Sequence, residues 1–179
     1  MHLKRIHVIG VSGVRKSTLA KGLSQSFRYP YLELDAVHHQ RDWAPIDQQE
    51  FRRTVEQFCS GSSWVICGNY SQVRDLIWAR ADTVVWLDLP RWRVMKQIVF
   101  RSLKRVIFRE TLWNGNRESW AGLLSLDPKK SVMMWAWTRH GSYRKLYERE
   151  FSRLKEQGLA CVHLRSSKEV RNWLAGLKV

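Results

Sequence analysis

Between positions 10 and 18 the chain reads Gly10-Val11-Ser12-Gly13-Val14-Arg15-Lys16-Ser17-Thr18. Glycines in such a run let backbone N–H groups turn inward around an anion. A lysine supplies charge to the β and γ phosphates of a nucleotide, and the hydroxyl that follows it can ligate Mg2+. Gly10, Ser12, Gly13, Val14, Arg15, Lys16, Ser17 and Thr18 are therefore the candidate cofactor-binding residues, with ATP and Mg2+ as the expected cofactors and Ser17 as a metal ligand. The strict spacing G-x-x-x-x-G-K-S/T is broken at position 15, where arginine occupies the place of the second glycine. Glycine is used where φ is positive or where backbone must approach a ligand closely. Arg15→Gly is accordingly expected to raise affinity for Mg-ATP, and the opposing reading is a retained scaffold whose nucleotide binding Arg15 impairs.

A second concentration of chemistry lies between Arg91 and Arg117, which holds eight basic residues and one acid, Glu110. Arg101, Arg105 and Arg109 recur every four residues, so on a helix they share a face. Met95, Ile98, Val99, Leu103, Val106 and Ile107 are expected to form an apolar face opposite them. Such a basic stripe suits a lid whose arginines close over transferring phosphates, with Arg101 and Arg105 as catalytic candidates. It also suits contact with nucleic-acid phosphates.

The elements that must position these residues are legible as short apolar runs separated by helical patterns. Arg5 to Ile9, Tyr31 to Leu34, Trp64 to Cys67, Thr83 to Leu89 and Leu159 to Leu164 read as strands apolar on both faces. With helices between them, they predict an α/β three-layer fold: a mainly parallel five-stranded sheet covered on both sides. Leu19, Ala20, Leu23 and Phe27 have helical spacing behind the loop, and Asp47 with Glu50 predicts a capped helix start before Phe51, Val55 and Phe58. The length predicts one domain over 1–179, with a lid-like segment at about 91–140.

The formal charge of +15, from 31 Lys and Arg against 16 Asp and Glu, implies an anionic partner, and nucleotides and nucleic acid both qualify. No apolar run approaches the roughly 18 residues of a membrane span, so no membrane partner is expected and a cytoplasmic location is. Cys59, Cys67 and Cys161 are odd in number and set among apolar neighbours, as buried thiols in a reducing compartment would be. The adjacent His38 and His39 are expected on different faces, which argues against a shared metal site.

The loop GVSGVRKST, followed by LELDAVHH, GNYSQVRD, WLDLP and LWNGNRES, resembles the bacterial adenylate-kinase-related P-loop proteins of the topology-modulation type, with a variant Walker A loop at Arg15. The resemblance covers nearly the whole chain. It implies an ATP-dependent kinase of the nucleotide-kinase kind, moving the γ-phosphoryl group of ATP to a nucleotide or other small acceptor. By the same likeness Asp35 lies near Mg2+ or the acceptor hydroxyl, as a catalytic, substrate-binding and metal residue. Asn69 and Arg74 bind the acceptor, Asn114 and Arg117 form a lid tip or contact the acceptor as substrate-binding residues, Arg139 reaches the phosphates as a catalytic residue, and Arg165 lies beside adenine. Asp88, which ends an apolar strand as a Walker B acid does, ranks below Asp35.

Overall fold

A computed structural model describes residues 3–125, 127–128 and 131–177. In chain order these form β1 (Arg5–Ile9), α1 (Lys16–Phe27), β2 (Tyr31–Glu33), α2 (Leu34–His38), α3 (Gln48–Cys59), β3 (Trp64–Cys67), α4 (Arg74–Trp78), β4 (Thr83–Leu87), α5 (Arg91–Ile107), α6 (Trp120–Leu124), α7 (Val132–Glu156), β5 (Ala160–Leu164) and α8 (Ser167–Ala175). Short helical turns at Arg41–Trp43 and Trp113–Gly115 lie between α2 and α3 and between α5 and α6.

The five strands make one parallel sheet in the order β2-β3-β1-β4-β5. From β1 the chain goes first to one side of the sheet and then to the other. The crevice at the carboxyl end of β1 is thus the topological switch point where open α/β sheets bind ligands. The central strands β3, β1 and β4 are buried on both faces, which is why they read as continuous apolar runs, and the edge strands β2 and β5 are half-buried. On one face Ile6, Val8, Val65, Cys67, Val85 and Leu87 pack with Leu19, Ala20 and Leu23 of α1 and with Val94 and Ile98 of α5. On the other, Trp64 and Ile66 meet Phe51 and Val55 of α3, and Trp86 meets Tyr147 and Phe151 of α7. Full burial of each such side chain contributes about 1.5–3 kcal/mol.

Helix starts follow their caps. The Asp47 side chain accepts from the N–H groups of Gln49 and Glu50, as the sequence predicts, and Ser131 and Ser166 cap α7 and α8 in the same way. Two expectations need correction. The second strand stops at Glu33, and Leu34 and Asp35 open α2 instead of ending the strand. In α5 the buried row is Val94, Ile98, Ser102 and Val106, whereas Val99, Leu103 and Ile107, expected on that buried face, are exposed.

Candidate active site

The loop after β1 keeps the backbone shape its composition predicts, including at the mismatch. Arg15 stands at φ 66 and ψ 34, the left-handed conformation that glycine adopts freely, and its side chain is exposed. Gly13, at φ 86, is irreplaceable for a different reason: a Cβ there would sit 2.4 Å from Cγ1 of Ile98, so α5 rests directly on the loop. The loop is pinned from β3 as well. Gly10 donates its N–H to Oδ1 of Asn69 at 3.1 Å, and the Asn69 amide donates back to the Gly10 carbonyl at 2.5 Å. Asn69, expected on an acceptor, is thus committed to holding the loop while still lining the cleft beside it.

Lys16 and Ser17 begin α1. The Lys16 ammonium donates to the Val11 carbonyl at 3.0 Å, and the Ser17 hydroxyl donates to Oε1 of Glu33 at 2.5 Å. Glu33 is buried, and its other carboxylate oxygen accepts from the Tyr31 hydroxyl. The Cys67 sulfur lies 3.8 Å from the same Ser17 oxygen, and burial pushes its thiol up to about 12, so it stays protonated and inert. Glu33 is the acid nearest the loop hydroxyl by hydrogen bonding, and the sequence reading passed it over. The one available signal was its position at the carboxyl end of a strand beside the loop strand.

A cleft of about 1260 Å³ opens in front of the loop. It is lined by Ser12, Lys16, Asp35 and Asn69 from the sheet side, by Arg101, Ser102 and Arg105 from α5, and by Trp113 and Arg117 beyond it. Asp35 accepts from the Tyr70 hydroxyl at 2.8 Å, and burial together with the Asp35 charge raises the Tyr70 phenol well above its ordinary value. Arg105 forms a 2.6 Å ion pair with Glu118 that is largely shielded from solvent. Among the described residues Arg101 has no such pair, and its Nε is buried without a hydrogen-bond partner. Burial first, and the Arg105 charge next, hold its guanidinium below the ordinary arginine range. A half-buried cation left unpaired inside a cleft is a ready receptor for an anionic ligand. The two arginines therefore face the cleft and not solvent.

Aromatic rings complete the walls. His39 sits 5.4 Å from the Trp43 ring and 6.3 Å from Trp113, and His38 lies 4.5 Å from Tyr70. The two histidine rings meet edge to face at 5.0 Å, contrary to their expected separation, because His39 leaves the helix in an extended conformation. Burial lowers both imidazoles, and among the described residues no group of three or more His, Cys, Asp or Glu is placed to hold a metal.

The turns at Arg41–Trp43 and Trp113–Gly115 interlock at the rim. The Asn116 amide donates to the Gln40 carbonyl at 2.8 Å, and the Trp43 N–H donates to Oδ1 of Asn116 at 2.9 Å. Asn114, expected at a lid tip or on an acceptor, donates to the carbonyls of Ala36 and His39 and so fastens its turn to α2.

Other expected residues lie elsewhere. Arg74 places its guanidinium over the rings of Trp78 (5.3 Å) and Tyr147 (5.8 Å), outside the cleft lining. Arg139 is exposed on α7, near enough to the cleft-lining Tyr143 to act on its hydroxyl. Arg165 is exposed after β5, its N–H donating to the Glu169 carboxylate. Arg109 lies past the end of α5 and is exposed. Asp88 is paired with His163 at 3.0 Å and Arg144 at 3.4 Å.

Among solved structures the chain is similar to a shikimate kinase from Bacteroides thetaiotaomicron, at 12% identity and a TM-score of 0.55, covering 96% of this chain and 94% of the other. It is similar also to a gluconokinase from Sinorhizobium meliloti 1021, at 17% identity and a TM-score of 0.53, covering 97% and 91%. The chain shares the fold of these two kinases, a five-stranded parallel sheet with helices on both faces. A sugar kinase from Janibacter sp. HTCC2649 matches 53% of this chain and 65% of its own length, at 23% identity and a TM-score of 0.39. No protein-family model and no curated protein matches the chain.

Proposed function

We propose that the chain is an ATP- and Mg2+-dependent phosphotransferase that moves the γ-phosphoryl group to a nucleotide or another small acceptor held in the cleft, in keeping with its likeness to the topology-modulation type. The observation that carries this reading is the convergence of Lys16, Asp35, Arg101 and Arg105 on one cleft in front of a loop of nucleotide-binding shape.

The donor set fits the hard cation. The Ser17 hydroxyl is held by the Glu33 carboxylate, and hard oxygen donors of this kind suit Mg2+, with Asp35 as a further carboxylate on the same wall. When bound, Mg2+ would neutralise charge on the β and γ phosphates. In this reading the loop N–H groups and Lys16 bind the phosphates, and the Lys16 ammonium exchanges the Val11 carbonyl for a phosphate oxygen. Asp35 orients the acceptor hydroxyl and takes its proton. Arg101 holds the acceptor's anionic group, and Arg105, fixed by Glu118, adds positive charge where negative charge gathers in the transition state. Arg117 extends the same wall at the rim. The free thiols of Cys59, Cys67 and Cys161 fit a cytoplasmic enzyme. Retention of the glycine-like backbone at Arg15 favours this reading over a scaffold that has lost its nucleotide, and the inward turn of Arg101 and Arg105 favours it over nucleic-acid binding.

The test is calorimetric titration of Mg-ATP into the wild-type protein and Lys16→Ala, followed by an assay of ATP turnover with nucleoside monophosphates, gluconate and shikimate. Lys16→Ala is expected to keep its circular dichroism spectrum and lose at least about tenfold in affinity, the scale of one charge-assisted hydrogen bond. Equal affinity in the two folded proteins would remove the loop from function.

A further inference from the structure

α5 carries two apolar arcs, and only one of them is used by the fold. Val94, Ile98, Ser102 and Val106 are buried, and Arg101 and Arg105 on that side line the cleft. On the opposite side Trp92, Val99, Phe100, Leu103 and Ile107 are exposed, at 64%, 36%, 73%, 36% and 59%. At roughly 100° per residue these five fall within an arc of about 100°, with Lys96 in its middle and Arg93 and Lys104 on its flank. The outward face of a helix in a soluble domain is ordinarily polar, so a contiguous apolar arc of this kind marks a binding surface.

We propose that this outer face of α5 docks on an anionic phospholipid surface. Charge selects the occupant. α5 contains six Lys and Arg and no acid, on a chain of net charge +15. Face-to-face packing of two copies would oppose like charges, whereas an anionic interface attracts Arg93, Lys96 and Lys104 on and beside the arc, the last also paired with Glu110 at 3.2 Å, while Arg101 and Arg105 are turned away into the cleft. Shape selects lipid over nucleic acid. Trp92 and Phe100 are the two rings of the arc, and the aliphatic Val99, Leu103 and Ile107 among them interrupt any stacking track, while Arg101 and Arg105, the pair best suited to backbone phosphates, are turned into the cleft. An amphipathic helix lying in the headgroup plane buries aliphatic and aromatic side chains at the acyl boundary, while lysine stems reach up to the phosphates. No helix among the described residues is long and apolar enough to cross a membrane, so the contact is one of lying on the surface. Because the cleft-lining side chains project from the other side of α5, docking leaves the cleft open. The proposal stands on the exposed arc alone and is independent of the phosphotransferase reading.

The experiment is co-sedimentation of the full chain with phosphatidylcholine vesicles prepared with and without phosphatidylglycerol. It is run on the wild-type protein and on the double variant Phe100→Ser, Ile107→Ser, both verified by circular dichroism and analysed by sedimentation velocity. Wild-type protein is expected to pellet with the anionic vesicles, and the double variant to bind them about tenfold or more weaker, since both apolar burial and charge contribute to interfacial binding. Absence of binding to anionic vesicles overturns the proposal. Equal binding by the double variant overturns it too, because charge alone would then explain retention. A wild-type dimer that the double variant converts to monomer reassigns the arc to self-association. Duplex DNA binding lost in the double variant, with no vesicle binding by the wild type, reassigns it to nucleic acid.

Discussion

Replacing Arg15 with glycine probes the one position where the loop departs from its expected composition. The structure shows Arg15 already holding φ 66 and ψ 34, so the loop has its shape and the residue carries the strain. A left-handed conformation costs an L-residue roughly 1–2 kcal/mol. Glycine's extra freedom in the unfolded chain returns about 0.4–1 kcal/mol of that. The side chain is exposed and outside the cleft lining, so little packing is lost. Arg15→Gly is therefore expected to gain about 1 kcal/mol, a rise in Tm of about 2–4 °C for a chain of this length. The same strain is present with and without ligand, so it cancels from the binding cycle. Mg-ATP affinity is then expected to change by less than about threefold, under 0.7 kcal/mol, which revises the gain predicted from the mismatch alone. Scanning calorimetry with and without Mg-ATP, beside a nucleotide titration, separates the two quantities. A Tm that stays level or falls, or a gain confined to the nucleotide-bound protein, would refute the strain argument.

Glu33→Gln keeps the volume beside Ser17 and removes the charge; turnover is expected to fall about tenfold or more with a higher Mg2+ requirement, and an unchanged Mg2+ titration would take Glu33 out of the metal site. Asn69→Ala removes both hydrogen bonds to Gly10 and is expected to cost about 1–3 kcal/mol in urea unfolding, together with a loss of nucleotide affinity. His7 donates from Nε2 to the Gly68 carbonyl and accepts at Nδ1 from the Trp78 indole, an arrangement open only to the neutral ring. Burial pushes its imidazole down from 6.5 to about 4, so the unfolded chain takes up a proton that the folded one refuses; stability is full above pH 6.5 and falls by about 3 kcal/mol as the pH drops to 4. Ring nitrogen NMR shifts reporting titration near pH 6.5 would contradict this.

The strands and the phosphate loop were legible because each rests on local pattern: continuous apolar runs for doubly covered strands, and glycines next to a lysine and hydroxyl at a strand end. Asp47 was legible as a cap for the same reason. Glu33 was not. It stands between two leucines and reads as an ordinary outward strand residue, and only the pairing of β2 with β3 brings it to Ser17. The four-residue spacing of Arg101 and Arg105 was legible, but the buried row of α5 was not, because apolar residues flank the arginines on both sides and the choice between the two arcs is made by where α5 meets the sheet. Arg74 is drawn to Trp78 and to Tyr147, the latter more than seventy positions away, a distance no local pattern reports.

The interlocked turns bear on timing. Asn114 and Asn116 reach across 73 to 78 positions of sequence to grip backbone of the 36–43 segment, and these bonds close the rim of the cleft at one point. A ligand too large to pass that rim enters and leaves only when the bonds break together, a local opening with its own rate that owes nothing to the phosphates. Weakening that clasp, by Asn116→Ala, would then quicken exchange of a bulky acceptor while leaving nucleotide exchange at the loop as it was, so that the two ends of one cleft keep separate clocks.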